Sequence, residues 1–226
     1  MGKPPTQKEI NQFKLWASPR GIALIATNRS YEELKNAEFN LKKDQIPIEE
    51  IGQVMNAYEA FKLLPDSIIE KMRGTAVYMS TVNDTTNYAL YAHSSPEVIA
   101  KIYEKNNNVV RNGIFLVQPI SKRVTIHEIG HLIGTIGIEG LYGDEYSPYK
   151  DLRSEYNNIF RIQGLDKLPC GYITRYSVTN DAENFADHFS YYVMYGKEFR
   201  ERAATDKLLL AKYNFLKKSI FEGKEY

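Results

Sequence analysis

Residues 122–137 read KRVTIHEIGHLIGTIG, and residues 127–131 within them form the pattern His-Glu-x-x-His. Positions i and i+4 share one face of an α-helix, so the pattern predicts a helix whose imidazoles, His127 and His131, converge on one metal ion. Glu128 would lie beside the metal-bound water. The other residues from Val124 to Ile133 carry no charge, which argues against a helix on the surface. The stretch therefore predicts a metal centre on a packed helix.

Zinc is the expected metal, because two neutral imidazoles and a carboxylate suit it and a catalytic zinc keeps one position for water. Metzincin spacing would place a third histidine where Gly137 stands, so that class is excluded. Cys170 is the lone cysteine, which excludes sites built from several thiolates. We expect its side chain to be buried as a small hydrophobic group.

The third protein ligand has to come from the other histidines or from acidic residues after the motif. These are His93, His188, Glu139, Asp144, Glu145, Asp181, Glu183 and Asp187. Glu183 and Asp187 are favoured, because they lie four apart in a segment, residues 180–195, that starts on a capping residue and has an apolar face. With Glu183 as ligand, Asp187 could accept a hydrogen bond from a ligand imidazole. A solvated pair of acids on an amphipathic helix is the alternative.

Composition limits the class of protein. The chain has 226 residues and a formal net charge of +1, so a nucleic-acid partner or an anionic membrane surface is not expected. No apolar run approaches the roughly 18 residues of a membrane span. Without repeats or long linkers, the pattern predicts one domain over residues 1–226 of class α+β. We expect residues 1–120 to form a mixed α/β part with a small mixed sheet. We expect residues 121–226 to form a helical part.

The pattern of apolar residues and capping signals places the elements. We expect helices at 6–16, from 30, after 47, at 66–72 and at 96–105, and strands at 21–27, 75–82, 87–93 and 113–118. The last strand precedes the motif, so we expect it to be a sheet edge on which an extended peptide adds as an antiparallel strand. Gly113, Phe115, Leu116 and Val117 are its candidate substrate-binding residues.

Residues 127–131, together with RYSVTNDAENFADHF at residues 175–189, resemble the lethal factor-like gluzincin metallopeptidases, to which the Pro-Pro endopeptidases are related. The resemblance implies a zincin-like fold in which His127, His131 and Glu183 bind zinc and Glu128 is the general base. Asp187 would lie behind the ligands, and Tyr176 would donate a hydrogen bond to the developing oxyanion. Asn184 departs from the family, which has an aromatic residue there, and Asp187 replaces a glutamate.

The function expected on these grounds is a zinc-dependent endopeptidase that cleaves a protein substrate bound in extended conformation. A catalytically inactive zincin-fold binding module of the toxin type is the alternative, although the intact Glu128 argues against it. A monomer is expected. The family resemblance suggests secretion, and the sequence as given shows no signal peptide.

Overall fold

The structure is a computed structural model that describes residues 5–30, 33, 45–82, 89–92, 112–137 and 170–226. The chain forms two compact units, residues 1–132 and 133–226. The described residues form a mixed α and β structure, as expected for the fold class. No helix formed by them is both long and apolar enough to cross a lipid bilayer.

The first helix of the first unit, α1 (Gln7–Ala17), begins at the predicted capping box. The Thr6 backbone N–H donates to the Glu9 carboxylate at 2.8 Å, and the Glu9 N–H donates back to the Thr6 hydroxyl. These two bonds satisfy donors that a helix start leaves open. The buried face of α1 includes Phe13, whose ring stacks on Tyr58 with centroids 4.8 Å apart.

The described residues 45–82 contain the helices α2 (Val54–Leu63) and α3 (Asp66–Lys71). The sequence predicts a helix directly after residue 47, but this prediction is wrong about where the helix begins, because α2 starts at Val54. A short 3₁₀ turn at Ile48–Glu50 comes first, and Gln53, at φ 60°, interrupts the helical path before α2. Periodic apolar residues indicate a buried face, but they do not show where the backbone breaks.

A four-stranded sheet forms the centre of the first unit. Its strands are β1 (Ala23–Thr27), β2 (Thr75–Ser80), β3 (Ala89–Ala92) and β4 (Asn112–Leu116), in the order β1-β2-β4-β3. The first, second and fourth strands are parallel, and β3 is antiparallel to β4. Every residue of β2 is buried, as is typical of a central strand with apolar residues on both faces. The small mixed sheet is therefore confirmed.

The predicted edge position of residues 113–118 is wrong. β4 pairs with β2 on one side and with β3 on the other, so Gly113, Phe115 and Leu116 lie in an interior strand. Val117 follows the end of that strand. Chain order shows that two strands are close in sequence, but a later strand can still insert between earlier ones. Here β4 lies between β2 and β3, and β3 is the outer strand of the sheet that the described residues form.

The motif helix is α4 (Lys122–Gly137). It starts after Ser121, whose hydroxyl accepts a hydrogen bond from the Val124 N–H at 3.1 Å. Inward-facing positions Ile126, Ile129 and Leu132 have no exposed surface. The uncharged flanks of the motif thus belong to a packed helix, as the sequence predicts.

In the second unit the described residues form helices joined by short turns, which confirms the predicted helical character there. The helices are α5 (Asp181–Met194), α6 (Gly196–Ala203) and α7 (Lys207–Phe215), followed by a π-helical turn at Leu216–Ile220. Their core is aromatic. Tyr192 is fully buried and stacks on Phe221 with ring centroids 4.8 Å apart.

The prediction that Cys170 is buried is wrong, because its side chain is exposed. Cys170 stands in a turn just before Gly171, which has φ of +80°. The general tendency of cysteine to be buried therefore does not decide the position of this turn residue.

Candidate metal centre

The two motif histidines face each other across one turn of α4. Their Nε2 atoms lie 3.1 Å apart, and their ring planes are nearly perpendicular, at 88°. His127 is 9% exposed and Glu128 is 4% exposed. The helix therefore presents two imidazole nitrogens to one point, with a buried carboxylate next to them in sequence.

The separation of the two nitrogens fits a shared ion. Nitrogen ligands at about 2.0 to 2.1 Å from a tetrahedral zinc are about 3.3 to 3.4 Å apart. A proton donated from one neutral ring to the other would also give a distance near 3.1 Å. The distance between two imidazoles therefore does not distinguish a shared metal ion from a hydrogen bond between the rings. The position of the third candidate ligand, Glu183, is needed to do so.

Glu183 lies in the first turn of α5. The side chain of Asn180 caps this helix by accepting a hydrogen bond from the Glu183 N–H at 2.9 Å. An acidic side chain is favoured in the first turn of a helix, where the backbone N–H groups are partly positive. The sequence signal for the start of this helix is confirmed, and it places Glu183 one turn before Asp187.

One ligand atom from each of His127, His131 and Glu183 lies within 4.8 Å of the other two. Ligand atoms of one tetrahedral ion are roughly 3 to 3.5 Å apart, so the three side chains are close to the spacing that an ion needs. The predicted trio is therefore brought together, and its donors are compatible with a metal. The identity of that metal as zinc stays a prediction.

Asp187 is buried on α5, and its carboxylate accepts a hydrogen bond from the Thr174 hydroxyl. The predicted bond from a ligand imidazole to Asp187 stays a prediction. Thr174 is a partner that sequence reasoning missed. The only signal for it was a Thr-x-x-Ser spacing with Ser177, which is common in turns.

Tyr176 begins a 3₁₀ turn, Tyr176–Val178, just before α5, and 54% of its surface is exposed. A tyrosine that must reach a bound substrate has to keep its hydroxyl accessible, so this exposure suits the predicted role. The role itself stays a prediction.

His188 is fully buried and its ring packs against Phe199, with centroids 5.6 Å apart. Its Nδ1 lies 2.6 Å from the backbone oxygen of Asn184. Burial, reinforced by the positive charge of Lys212, lowers the pKa of His188 to about 3. The ring is therefore neutral at ordinary pH and is a packed polar residue.

Lys212 is a second residue that sequence reasoning missed. Although charged, it is only 1% exposed. Its ammonium donates to the backbone oxygen of Gly171 and, at 3.0 Å, to Oδ1 of Asn184. It also lies 4.4 Å from the centroid of the Tyr172 ring. From sequence alone, a lysine on a helix is expected to be solvated, so no local pattern predicts that Lys212 is buried.

Four of the alternative ligands, His93, Glu139, Asp144 and Glu145, lie outside the described residues. Asp181 is the first residue of α5. Compared with known proteins, the chain matches no family model and none of the curated proteins. The assignment of function therefore depends on the chemistry of the site.

Proposed function

We propose that this protein is a zinc-dependent endopeptidase of the gluzincin type, with a zincin-like fold similar to that of the lethal factor-like metallopeptidases. The observation that carries the proposal is the grouping of His127, His131 and Glu183, with ligand atoms within 4.8 Å of one another. The buried carboxylate of Glu128 next to His127 supplies the general base that such an enzyme requires.

The donor set fits a catalytic zinc ion better than a structural one. Structural zinc sites use four protein ligands and favour thiolates, whereas catalytic sites use three ligands and leave a position for water. The trio offers two imidazole nitrogens and one carboxylate oxygen. When bound, zinc would lower the pKa of its water to about 7 and polarise the scissile carbonyl.

Glu128 would move the proton in this reaction. Its carboxylate would take a proton from the attacking water and deliver it to the nitrogen of the leaving amine. Burial of Glu128, at 4% exposure, keeps bulk water from competing for that proton. Tyr176 would donate from its hydroxyl to the oxygen of the substrate carbonyl as negative charge develops there.

The substrate would bind in extended conformation along the sheet. β3 is the outermost strand on one side of the sheet formed by the described residues, and it is antiparallel to β4. An edge strand offers backbone N–H and C=O groups to an added strand, and alternate side chains of the peptide then enter pockets. We therefore propose β3 as the strand that pairs with the peptide.

Metal analysis and peptide digestion test the proposal together. The purified protein should contain one equivalent of zinc and cleave peptides in a library read by mass spectrometry. Glu128→Gln should keep its zinc and lose cleavage, because the amide cannot accept the proton. The matched control is Glu70→Gln, an exposed glutamate on α3, which should cleave like the wild type.

Two results would contradict the proposal. Full cleavage by the Glu128→Gln variant would remove Glu128 as the base. A wild-type protein that holds zinc but cleaves no peptide would instead favour the inactive binding module.

A further inference from the structure

The segment that carries Tyr176 is attached to helix α5 at two points. The first attachment uses Lys212. Its ammonium donates to the backbone oxygen of Gly171, at the start of the segment, and to Oδ1 of Asn184 on α5. All three residues are buried, so these hydrogen bonds are shielded from water, where they are strongest.

The second attachment uses Thr174, two residues before Tyr176. Its hydroxyl donates to the carboxylate of Asp187 on α5. Asp187 is 1% exposed, so the buried carboxylate needs hydrogen bonds to offset its desolvation. Asn184 and Asp187 lie three residues apart, so the two attachments are close together on one helix.

Thr174 also organises the turn itself. Its hydroxyl accepts from the Ser177 N–H at 3.1 Å, while the Thr174 N–H donates to Ser177 Oγ at 3.2 Å. Ser177 Oγ in turn donates to the Thr174 carbonyl at 2.6 Å. Tyr176 stands between the two members of this reciprocal pair, and its carbonyl accepts from the Thr179 N–H at 3.0 Å. Three hydrogen bonds between Thr174 and Ser177 thus enclose Tyr176.

Such a short turn has too few backbone hydrogen bonds to hold a fixed geometry alone, so the Thr174 and Ser177 side chains have to define it. Just over half of the Tyr176 surface is exposed, whereas the neighbouring Ser177 and Val178 are buried. One direct hydrogen bond from this segment to α5 runs from the Thr174 hydroxyl to Asp187. Glu183 lies one turn earlier on the same helix.

We propose that Thr174 is a positioning residue. Its hydroxyl, bonded to Asp187, holds the Tyr176 turn in one place relative to Glu183, so that the tyrosine hydroxyl and the carboxylate ligand keep a constant geometry. The catalytic part of this inference rests on the proposed peptidase function, and the structural part does not. Oriented donors are effective because they do not have to reorganise during the reaction.

Hydrogen exchange of the 226-residue chain, with or without zinc, tests the structural part without any activity. Thr174→Val keeps the shape and removes the hydroxyl, so exchange of the Ser177 and Thr179 amides should become at least about 10-fold faster. Thr174→Ser keeps a hydroxyl and should restore slow exchange. The matched control Thr179→Val, at an exposed threonine of the same segment, should change exchange at the Ser177 amide less than about 2-fold.

Exchange rates in Thr174→Val that match the wild type would overturn the proposal. If that variant does not fold, Ser177→Ala provides the second measurement, because it removes the hydroxyl that is bonded to the Thr174 N–H and carbonyl and leaves the Asp187 carboxylate intact. It should also speed exchange at the Thr179 amide, and unchanged exchange there would overturn the proposal in the same way.

A double-mutant cycle tests the catalytic part on a peptide that the wild type cleaves. Thr174→Val should lower kcat about 10-fold, with KM and zinc affinity nearly unchanged, and Thr174→Ser should recover most of the rate. In a Tyr176→Phe background, Thr174→Val should cost less than about 2-fold more, because the hydroxyl it positions is already gone.

Losses that multiply in the double variant would show that Thr174 does not act through Tyr176, and would overturn the catalytic part. A wild type without peptidase activity would refute the proposed function instead. The hydrogen-exchange result would then still decide whether Thr174 holds the turn.

Discussion

Replacing Lys212 with methionine tests how much one buried cation contributes to the second unit. The side chain is 1% exposed, and its ammonium donates to Gly171 O and to Asn184 Oδ1. Methionine has a similar length and no donor, so Lys212→Met would leave two buried acceptors without this partner. The change therefore isolates the hydrogen bonds from the packing.

The expected loss follows from these contacts. A buried acceptor left unsatisfied costs about 1 to 3 kcal/mol, so two cost about 2 to 6 kcal/mol. The Tyr172 ring, 4.4 Å from the ammonium, adds about 1 kcal/mol of cation–π attraction. Against this, the variant no longer pays several kcal/mol for desolvating a charge. With that desolvation taken as about 3 kcal/mol, we expect Lys212→Met to lower the free energy of unfolding, by up to about 4 kcal/mol.

Urea unfolding followed by far-UV circular dichroism measures this difference. The matched control is Lys207→Met, at an exposed lysine in the first turn of the same helix, which should stay within about 0.5 kcal/mol of the wild type. A Lys212→Met protein as stable as the wild type, or more stable, would refute the reasoning. It would show that desolvating the ammonium costs as much as its hydrogen bonds contribute.

Three further outcomes are expected. His188 has a pKa of about 3 when folded and about 6.5 when unfolded, so the unfolded state binds more protons between these values. The free energy of unfolding therefore does not suffer from His188 above about pH 6.5, and it decreases as the pH falls below that value. Between about pH 7 and pH 5, urea unfolding should show that the wild type loses roughly 2 kcal/mol more stability than His188→Gln does. Equal losses would contradict this expectation. Glu183→Gln should weaken zinc binding by more than about 100-fold in a chelator competition, whereas Glu201→Gln, at an exposed glutamate of α6, should not; equal affinities would exclude Glu183 as a ligand. Tyr176→Phe should lower kcat by about 10² to 10³ at unchanged zinc affinity, and an unchanged kcat would remove its role.

The local features of the site could be predicted from sequence. The helix around His127 and His131 and the helix start at Asn180 follow from spacings of three and four residues, which a helix converts directly into a shared face. The capping box of α1 is equally local. Each of these patterns specifies a geometry within one turn of backbone.

The features that sequence reasoning missed depend on contacts between distant segments. Lys212 and Gly171 are far apart in the chain, and nothing near Lys212 indicates that its ammonium is buried. The edge position expected for β4 is wrong because β3 pairs with its other side. Strand order depends on which pairings bury the most apolar surface, and a single strand does not show that.

By itself, the sequence determined which residues can do chemistry here. His127 and His131 share one face of a helix with Glu128 beside them, and the single cysteine leaves acids and the other two histidines as the remaining candidate ligands. Only the tertiary structure decided that, among the described residues, Glu183 brings a ligand atom near both histidines, and that Thr174 and Lys212 bond the Tyr176 segment to its helix. The physical reason is one of range. Helical periodicity acts over one turn, whereas the approach of distant side chains depends on how the whole chain packs.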